Sequence, residues 1–277
     1  MKFSLLLSGK PGTGKTRILY TARRPVLIDL FDPNKTLVLD ILTGGKVCYF
    51  TGNEIPEAEL EYDFFCRRFH NEHHARPTEY ERWRKQFDRD LVSGFFNLFG
   101  TYSLDSHTNW LAFATNYLIK KLALRDKKGK LLNQLTLRDY PHIYNEARDV
   151  IFQMSGPVCD FIMTTHADLV QDLDEKGNSL GPKYMKLMTY NQLQTILPSN
   201  FTEHYIACKE ETSKGTDYYL LTGMKNKYVG MTALGAEGKL DLQEKPDLKA
   251  ILRKVGLEPS DRPSLTETYS TWKEKQK

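Results

Sequence analysis

The sequence lacks the features that would assign it to a membrane, secreted or metal-stapled class of protein. No apolar run reaches the roughly 20 residues that a membrane-spanning helix needs, and the N-terminus shows no long apolar segment with a cleavage site. The four cysteines are widely spread and form no CxxC pair, which argues against a zinc knuckle and a disulfide framework. We therefore expect a soluble, intracellular protein without membrane contacts, whose cysteines are reduced and mostly buried.

The chain also lacks a strong charge of one sign, an internal repeat and any low-complexity stretch. Its formal net charge is only +4, so the total says little about nucleic acid and the distribution of charge must be considered instead. At 277 residues and 40% hydrophobic content, the chain can bury one substantial core. We expect one domain with elaborations.

Compact apolar runs alternate with helical segments, a pattern that favours a mostly parallel sheet covered by helices. Strands are predicted at 3–7, 25–30, 46–50, 100–105, 159–165, 203–210 and 217–223. A glycine-containing turn separates the last two, which indicates a hairpin. The predicted fold class is therefore α/β, with antiparallel strands at the C-terminal side of the sheet.

The rest of the predicted organisation consists of an insertion and a tail. Residues 57–96 are charged and aromatic, and they are interpreted as a helical insertion of two helices broken near Pro77. The core domain is predicted to cover residues 1–244. Residues 245–277 are predicted to form a C-terminal amphipathic helix followed by a mobile polar tail.

The segment "GKPGTGKT", residues 9–16, fits the GxxxxGK[ST] pattern between an apolar strand and a helix. Its glycines let backbone N–H groups converge on phosphate oxygens, and the helix N-terminus favours negative charge. Lys15 is expected to reach the β and γ phosphates of ATP, and the Thr16 hydroxyl to ligate Mg²⁺. The predicted nucleotide-binding residues are Gly9, Pro11, Gly12, Thr13, Gly14, Lys15, Thr16 and Arg17.

A second metal-facing carboxylate is expected at the end of another apolar strand. Asp105, at the end of "GTYSLD", is the candidate; the alternative is that it only caps the helix that follows. Hydrolysis also needs a group that orients water, and Asp29 and Asp32 lie near the end of the 25–30 strand. If that strand neighbours the P-loop strand, one of them lies across the γ-phosphate. Asp32 is preferred, although it can equally be a turn residue before Pro33.

His166 follows the strand "CDFIMTT" and is the candidate sensor of the γ-phosphate, with a purely structural histidine as the alternative. Three more histidines, His70, His73 and His74, lie in "HNEHH", where a solvated helix surface is favoured over a metal site.

These motifs in this order resemble the RecA-like P-loop ATPases, most closely the small phage-encoded ATPases whose members include single-strand annealing recombinases. The resemblance rests on "GKPGTGKT", "VLIDLFD", "LDS", "DYPHIYNEARDVI", "CDFIMTTH" and "LTGMKNKY", and it covers about residues 1–230. It implies a RecA-like core, ATP with Mg²⁺, assembly into rings or filaments, and work on phage DNA in the cytoplasm of an infected host cell.

The resemblance also carries residue roles. Lys15, Thr16 and Asp105 match the nucleotide and metal motifs, whereas Asp29 and Asp32 stand where the family commonly has a catalytic glutamate. Lys225 and Lys227 are similar to the lysine pair that reaches the γ-phosphate of a neighbouring subunit. Two residues apart on a strand, they would share one face; a solvated strand end is the alternative.

Two segments are candidates for contact with single-stranded DNA. Residues 120–138 form a basic loop with few acidic residues, and an ordinary lysine-rich surface is the alternative. The second segment follows His166 and is interpreted as a hairpin turned at "EKGN", where tyrosines interleave with lysines or pack in the core. Its candidate contact residues are Lys183, Tyr184, Lys186 and Tyr190.

The preferred function is a DNA-stimulated ATPase that supports recombination, annealing or replication. One alternative is a nucleotide-gated DNA packaging or replication accessory with weak hydrolysis, and another is a small-molecule kinase that uses residues 57–96 as a lid. The C-terminal tail is a candidate contact for a single-strand-binding or replication protein.

Overall fold

A computed structural model of the chain describes residues 3–32, 36–69, 77–171, 174, 184–213, 215–225 and 228–276. The strands are β1 (Ser4–Gly9), β2 (Val26–Leu30), β3 (Val47–Tyr49), β4 (Phe64–Arg68), β5 (Thr101–Asp105), β6 (Asp160–Val170), β7 (Tyr184–Leu187), β8 (Glu203–Thr212), β9 (Gly215–Leu221), β10 (Met224–Lys225), β11 (Tyr228–Val229), β12 (Met231–Thr232) and β13 (Gln243–Glu244).

The helices are α1 (Lys15–Leu19), α2 (Thr36–Thr43), α3 (Glu79–Ser93), α4 (His107–Lys121), α5 (Tyr140–Gln153), α6 (Leu193–Ser199), α7 (Leu248–Lys254) and α8 (Leu265–Glu274). Short 3-10 helices occur at Glu57–Glu59, Phe95–Leu98 and Leu234–Glu237. No helix of the described ranges is long and apolar enough to cross a membrane.

One sheet organises the molecule, in the order β13-β9-β8-β1-β6-β5-β2-β4-β3, with β12 added to β8 and β7 added to β6. The strands from β8 to β3 along this path pair in parallel, whereas β9, β12 and β13 are antiparallel. The predicted α/β architecture is confirmed, including the antiparallel strands formed by the later part of the chain.

Side-chain alternation along β1 assigns the two faces of the sheet. Leu5 and Leu7 pack in one apolar cluster with residues of α1 and α7, while Leu6 belongs to a larger cluster on the other face with α3, α4 and α5. Covering both faces explains why all five residues of β2 are buried. The carboxyl ends of the parallel strands meet at one edge, where Gly9, Asp32 and Asp105 lie.

Residues 57–96 are not the helical insertion that the sequence predicts. Their first half contains β4, which lies inside the sheet between β2 and β3, and only α3 in the second half is a long helix. Tyr80, Trp83 and Phe87 recur at helical spacing and are buried in the larger cluster, and Gly94 ends α3 at a φ of 70°. The described parts of this segment, 57–69 and 77–96, belong to the core, which argues against their use as the lid of a small-molecule kinase.

The C-terminal residues also differ from the prediction of one helix and a mobile tail. Both α7 and α8 pack on the domain, and Leu265 and Tyr269 of α8 are buried in the larger cluster. The Trp272 ring lies 5.0 Å from the Phe95 ring, centroid to centroid. Apolar residues at helical spacing anchor this polar segment, which the average polarity of the tail conceals.

All four cysteines are free and buried, as predicted.

Candidate functional site

The loop of residues 9–16, which the sequence predicts to bind phosphate and which is called the phosphate loop below, connects β1 to α1 along the edge where the parallel strands end. A Cβ added to Gly9 would lie 2.5 Å from the carbonyl oxygen of Ala207, so no larger residue fits there without a backbone shift. Gly12 and Gly14 have φ values of 79° and 82°, a region that glycine enters without strain. Because α1 spans only five residues, the backbone N–H groups of the loop, rather than the N-terminus of the helix, are the main groups that could bind an anion.

Lys15 is the buried charged group of this loop and is only 3% exposed. Its amine donates hydrogen bonds to the carbonyl oxygens of Gly9, at 2.8 Å, and Lys10, at 2.9 Å. Both acceptors belong to the loop itself, so the ammonium group is held where phosphate oxygens would bind.

Asp105 reaches the same place from the end of β5. Its carboxylate is fully buried and accepts a hydrogen bond of 2.8 Å from the Thr16 hydroxyl. The Thr164 hydroxyl, on the neighbouring β6, donates to the other carboxylate oxygen. The fold thus brings together the two residues that the sequence predicts as metal ligands and adds Thr164, which the sequence analysis did not single out.

The Thr16 and Asp105 side chains fit a magnesium ion by their chemistry. A hydroxyl and a carboxylate are hard oxygen ligands, the type that Mg²⁺ binds in phosphate sites together with water and substrate oxygens. When bound there, the ion would neutralise negative charge that develops between phosphate groups.

Asp32 lies at the same edge of the sheet but farther from the loop than the sequence analysis supposed. β6 and β5 separate β2 from β1, so the condition that the two strands are neighbours is not met. The Phe31 N–H donates to the Asp105 carbonyl oxygen at 2.7 Å, which sets Asp32 beyond the end of β5. Strand order depends on pairing between distant segments, which sequence patterns do not reveal.

Asp29 forms part of a buried ion-pair network. It accepts two hydrogen bonds from Arg67, at 2.7 and 3.0 Å, and one each from Trp83 and Tyr102, both at 2.9 Å. Arg67 also pairs with Asp90, and all three charged side chains are at most 1% exposed. Asp29 therefore has a structural position under α3.

His166 lies beside the loop, as its candidate role requires. It is the parallel partner of Gly9 in the register of β1 and β6. Its backbone N–H donates to the Thr108 hydroxyl at 3.0 Å, and its carbonyl accepts from the Met188 N–H. A change at the loop would be adjacent to His166 and to residues 167–170 of β6, which follow it.

Other predicted site residues are only partly described. Lys225 belongs to β10, whose backbone pairs with β11, and Lys227 lies outside the described residues. His70, His73, His74 and Lys183 also lie outside them.

A cavity of about 350 Å³ opens next to the loop and contains residues that the sequence analysis missed. Its walls include Gly12, Thr16 and Arg17 on one side and the Tyr218 ring of β9 on another. The third wall is the exposed apolar side of α2, formed by Leu37, Val38 and Ile41. The apolar residues at the start of the helix after "FDPN" could have indicated one wall of this cavity from the sequence. Tyr218, on the opposite wall, is about 180 residues away in the sequence and could not have been linked to them.

The basic loop forms an exposed hairpin after α4. Arg125 and Leu131 form a bridge, and the Asp126 carboxylate accepts the backbone N–H groups of Lys128 and Lys130. The exposed basic residues of 120–138, called the basic hairpin below, are Lys120, Lys121, Arg125, Lys127, Lys128, Lys130 and Arg138. Asp126 is occupied in forming the turn, so the lysines around it project their charge to solvent.

The predicted hairpin after His166 is present as a ribbon of two antiparallel strands. Residues 167–170 of β6 pair with residues 184–187 of β7, and the "EKGN" turn lies outside the described residues. Lys10 of the phosphate loop forms an ion pair of 3.2 Å with Asp168 of this ribbon. Tyr190 packs structurally, since its hydroxyl lies 3.0 Å from the Thr115 hydroxyl and its ring contacts Tyr140.

Two buried histidines flank the site. His107 follows Asp105 by two residues, stacks on Trp110 and is fully buried; burial lowers its pKa to about 3. His204 lies on β8 with Nε2 at 2.9 Å from the Ser8 hydroxyl, and burial lowers its pKa to about 4. Both are neutral at pH 7.

We expect these histidines to make the protein sensitive to mild acid. Below about pH 6.5 each of these histidines binds a proton in the unfolded chain but not in the folded protein. Each therefore lowers the free energy of unfolding by about 1.4 kcal/mol for every unit by which the pH falls. This loss continues to about pH 4 for His204 and about pH 3 for His107. Urea denaturation of His204→Gln between pH 7 and 4.5 is expected to show a shallower loss than the wild type. The exposed His142→Gln is the control; an equal slope in both variants would contradict the prediction.

No family model matches the chain, and no curated protein matches it either. Among solved structures, a prototypical ATPase from the type III secretion system of pathogenic bacteria aligns with a TM-score of 0.41 at 11% identity over 75% of this chain. The flagellar accessory protein FlaH from Methanocaldococcus jannaschii aligns with a TM-score of 0.40 at 11% identity, over 82% of this chain and 79% of its own. A KaiC-like protein from Pyrococcus horikoshii aligns with a TM-score of 0.38 at 11% identity, over 81% of this chain and 80% of its own. The alignment spans only 52% of the secretion ATPase.

Proposed function

We propose that this protein binds and hydrolyses ATP with Mg²⁺ and binds single-stranded DNA, in support of recombination, annealing or replication. The observation that carries the nucleotide part is the 2.8 Å hydrogen bond between Thr16 and Asp105, next to the buried Lys15. A glycine-rich turn that matched the motif by chance would have no reason to meet a buried carboxylate from another strand.

The cavity beside the loop supports a site for the base of the nucleotide. With phosphates at Lys15, the base would enter between the Tyr218 ring and the apolar side chains of α2. An aromatic ring stacks on the face of a base, and the opposite apolar wall excludes water from it. This arrangement gives the exposed Leu37 and Ile41, which are 66% and 68% exposed, a binding partner.

Replacing Tyr218 by alanine is expected to weaken ATP affinity about tenfold, since stacking on a base contributes roughly 1–3 kcal/mol. Isothermal titration with ATP and Mg²⁺ measures this directly. Tyr219→Ala is the matched control, because Tyr219 is the next residue of the same strand, does not line the cavity and packs in a separate apolar cluster. Equal affinities of the two variants would remove Tyr218 from the base site.

Asp32 and His166 are proposed to assist hydrolysis, Asp32 by orienting water and His166 by sensing the γ-phosphate. The separation of β2 from β1 by two strands favours a second candidate function, a nucleotide-gated DNA packaging or replication accessory with weak hydrolysis. The two candidate functions differ in the rate of ATP turnover that they predict. Fast ATP hydrolysis that falls in Asp32→Asn supports the first function, and ATP binding with little turnover supports the second.

The basic hairpin supports the DNA part of the proposal. Its lysines are exposed, and of the salt bridges found among the described residues only Arg138 with Asp139, at 3.9 Å, involves the hairpin. Such a surface would bind phosphates and release counterions, so affinity should fall steeply with salt. The same proposal includes assembly of the protein into a ring or filament, in which Lys225 and Lys227 would reach the ATP of a neighbouring subunit. A mass measurement with ATP, Mg²⁺ and DNA tests the assembly.

The deciding experiment measures ATP turnover and strand affinity with a thymidine oligonucleotide at several salt concentrations. We expect the strand to stimulate turnover, and the double variant Lys127→Ala/Lys128→Ala to reduce the slope of log affinity against log salt by about 0.7 for each phosphate that the protein no longer neutralises. Lys273→Ala/Lys275→Ala, two exposed lysines at the other end of the chain, is the control. Absence of strand binding at low salt would refute the DNA part and leave the ATP part standing.

A further inference from the structure

A second cavity of about 350 Å³ lies on the other face of β1 from α1. It is bounded by β7, α6, β8 and β12, and the described residues that line it are all different from those that line the cavity beside the phosphate loop. Its apolar wall includes Met185, Leu187, Ile206 and Met231. This space is large enough for a small planar molecule and is separate from the proposed ATP site.

Two buried polar groups line it, and we name it the Ser8–His204 cavity after them. The Ser8 hydroxyl lies 2.9 Å from His204 Nε2, and Ser8 is fully buried while His204 is 5% exposed. His204 Nδ1 has no hydrogen-bond partner among the described residues. A buried nitrogen without a partner is costly, and in either tautomer of His204 the Nδ1 atom is one unsatisfied donor or acceptor on a residue that lines the cavity.

The charge of the lining narrows the ligand class. Within the described part of the chain, Lys186 is the one charged residue that lines the cavity, and the remaining polar lining is neutral, including Gln194 and Thr195. The cross-strand partner of Lys186 is Asp168, but that carboxylate pairs with Lys10. Apolar walls, neutral hydrogen-bonding groups and one cation together match a neutral heterocycle that carries an anionic group.

We propose that the Ser8–His204 cavity binds a nucleotide, with the base inside it and the phosphate at Lys186. Two sources supply this chemistry: a residue of a single strand, or a free nucleotide. The strand as the source rests on the proposed function, whereas the cavity chemistry does not. Because Ser8 directly precedes Gly9 and Asp168 contacts Lys10, an occupant would lie next to the phosphate loop without entering it.

The experiment uses the full chain with Lys15→Ala, so that nucleotide binding at the phosphate loop is removed. One arm adds a thymidine oligonucleotide with a single 2-aminopurine, and the other adds free 2-aminopurine riboside monophosphate. In the oligonucleotide, a base that leaves its stacked neighbours for an apolar cavity increases its emission. The free nucleotide has no stacked neighbours, so its binding is measured by isothermal titration. Thr195→Trp, at an exposed position of the cavity lining, is expected to weaken binding about tenfold by blocking the cavity.

Two matched controls accompany these measurements. Gln192→Trp places the same ring at an exposed position just before α6 that does not line the cavity, and it is expected to leave affinity unchanged. Lys186→Ala is expected to weaken binding, whereas Lys209→Ala, on an exposed part of β8, is not.

The outcomes separate this proposal from the proposed function. Strand binding with increased emission and sensitivity to Thr195→Trp supports the cavity with a strand as its source. Binding of the free nucleotide alone, with the same sensitivity, supports the cavity and refutes strand binding. A strand that binds all variants equally, with no free nucleotide bound, overturns the cavity proposal and leaves strand binding intact. Failure of both probes overturns both.

Discussion

Arg67→Ala is expected to destabilise the protein by about 3–5 kcal/mol, because it leaves two buried carboxylates without their cation. Asp29 and Asp90 are both fully buried and both pair with this guanidinium. Burial raises the pKa of Asp90 to about 6 even with Arg67 present. Without Arg67 the two aspartates would have to take up protons or admit water, and either change loosens α3 from the sheet.

Urea denaturation followed by circular dichroism measures this loss. Arg68→Ala is the matched control, since Arg68 is the next residue of β4 but is exposed, with its guanidinium carbon 3.9 Å from the Tyr49 ring centroid. Its replacement should cost about 1 kcal/mol or less. If the two variants were equally stable, the buried network would not have the structural role described above.

Lys15→Ala is expected to reduce ATP turnover by at least about 100-fold, because it removes the cation that the proposed ATP site places where charge develops on the transferred phosphoryl group. The side chain is nearly enclosed, and its amine donates hydrogen bonds to the loop carbonyls of Gly9 and Lys10. ATP affinity by titration and ATP turnover by phosphate release separate the loss of binding from the loss of catalysis.

Lys10→Ala is the control for this variant. Lys10 lies in the same loop, but its side chain is 46% exposed and pairs with Asp168 at the surface. We expect it to keep turnover within a few-fold of the wild type, since an exposed ion pair contributes only about 0–1 kcal/mol. A thermal melt of both variants verifies folding. Turnover that survives Lys15→Ala would refute the proposed ATP site.

Features encoded in short stretches were predictable from the sequence. The phosphate loop is one, since a strand, three glycines, Lys15 and a helix follow one another at the start of the chain. The parallel strands and the late hairpin are others, because apolar runs and a glycine turn are local signals. Asp105 was identified because it ends such a run, and its contact with Thr16 agrees with the predicted pairing.

Features that depend on distant partners were missed or misassigned. β4 contains "FFCRR", and Arg67 made this segment look like a charged helix; in the fold its charge is neutralised by Asp29 and Asp90, which lie 38 and 23 residues away. The apolar anchors of α8 were likewise hidden in a polar tail. Pattern analysis counts residue types, but it does not reveal which charges find each other.

The sequence by itself determined the fold class, the phosphate loop and the carboxylate that meets it, because each depends on neighbouring residues or on a strand end. Only the tertiary structure decided the strand order, and with it the distance of Asp32 from the loop. It also decided that Asp29 is structural, that Tyr218 faces α2 across the loop, and that Ser8 and His204 share a cavity. The physical reason is the same in each case: these contacts join segments far apart in the chain, and only the packed sheet brings them within reach.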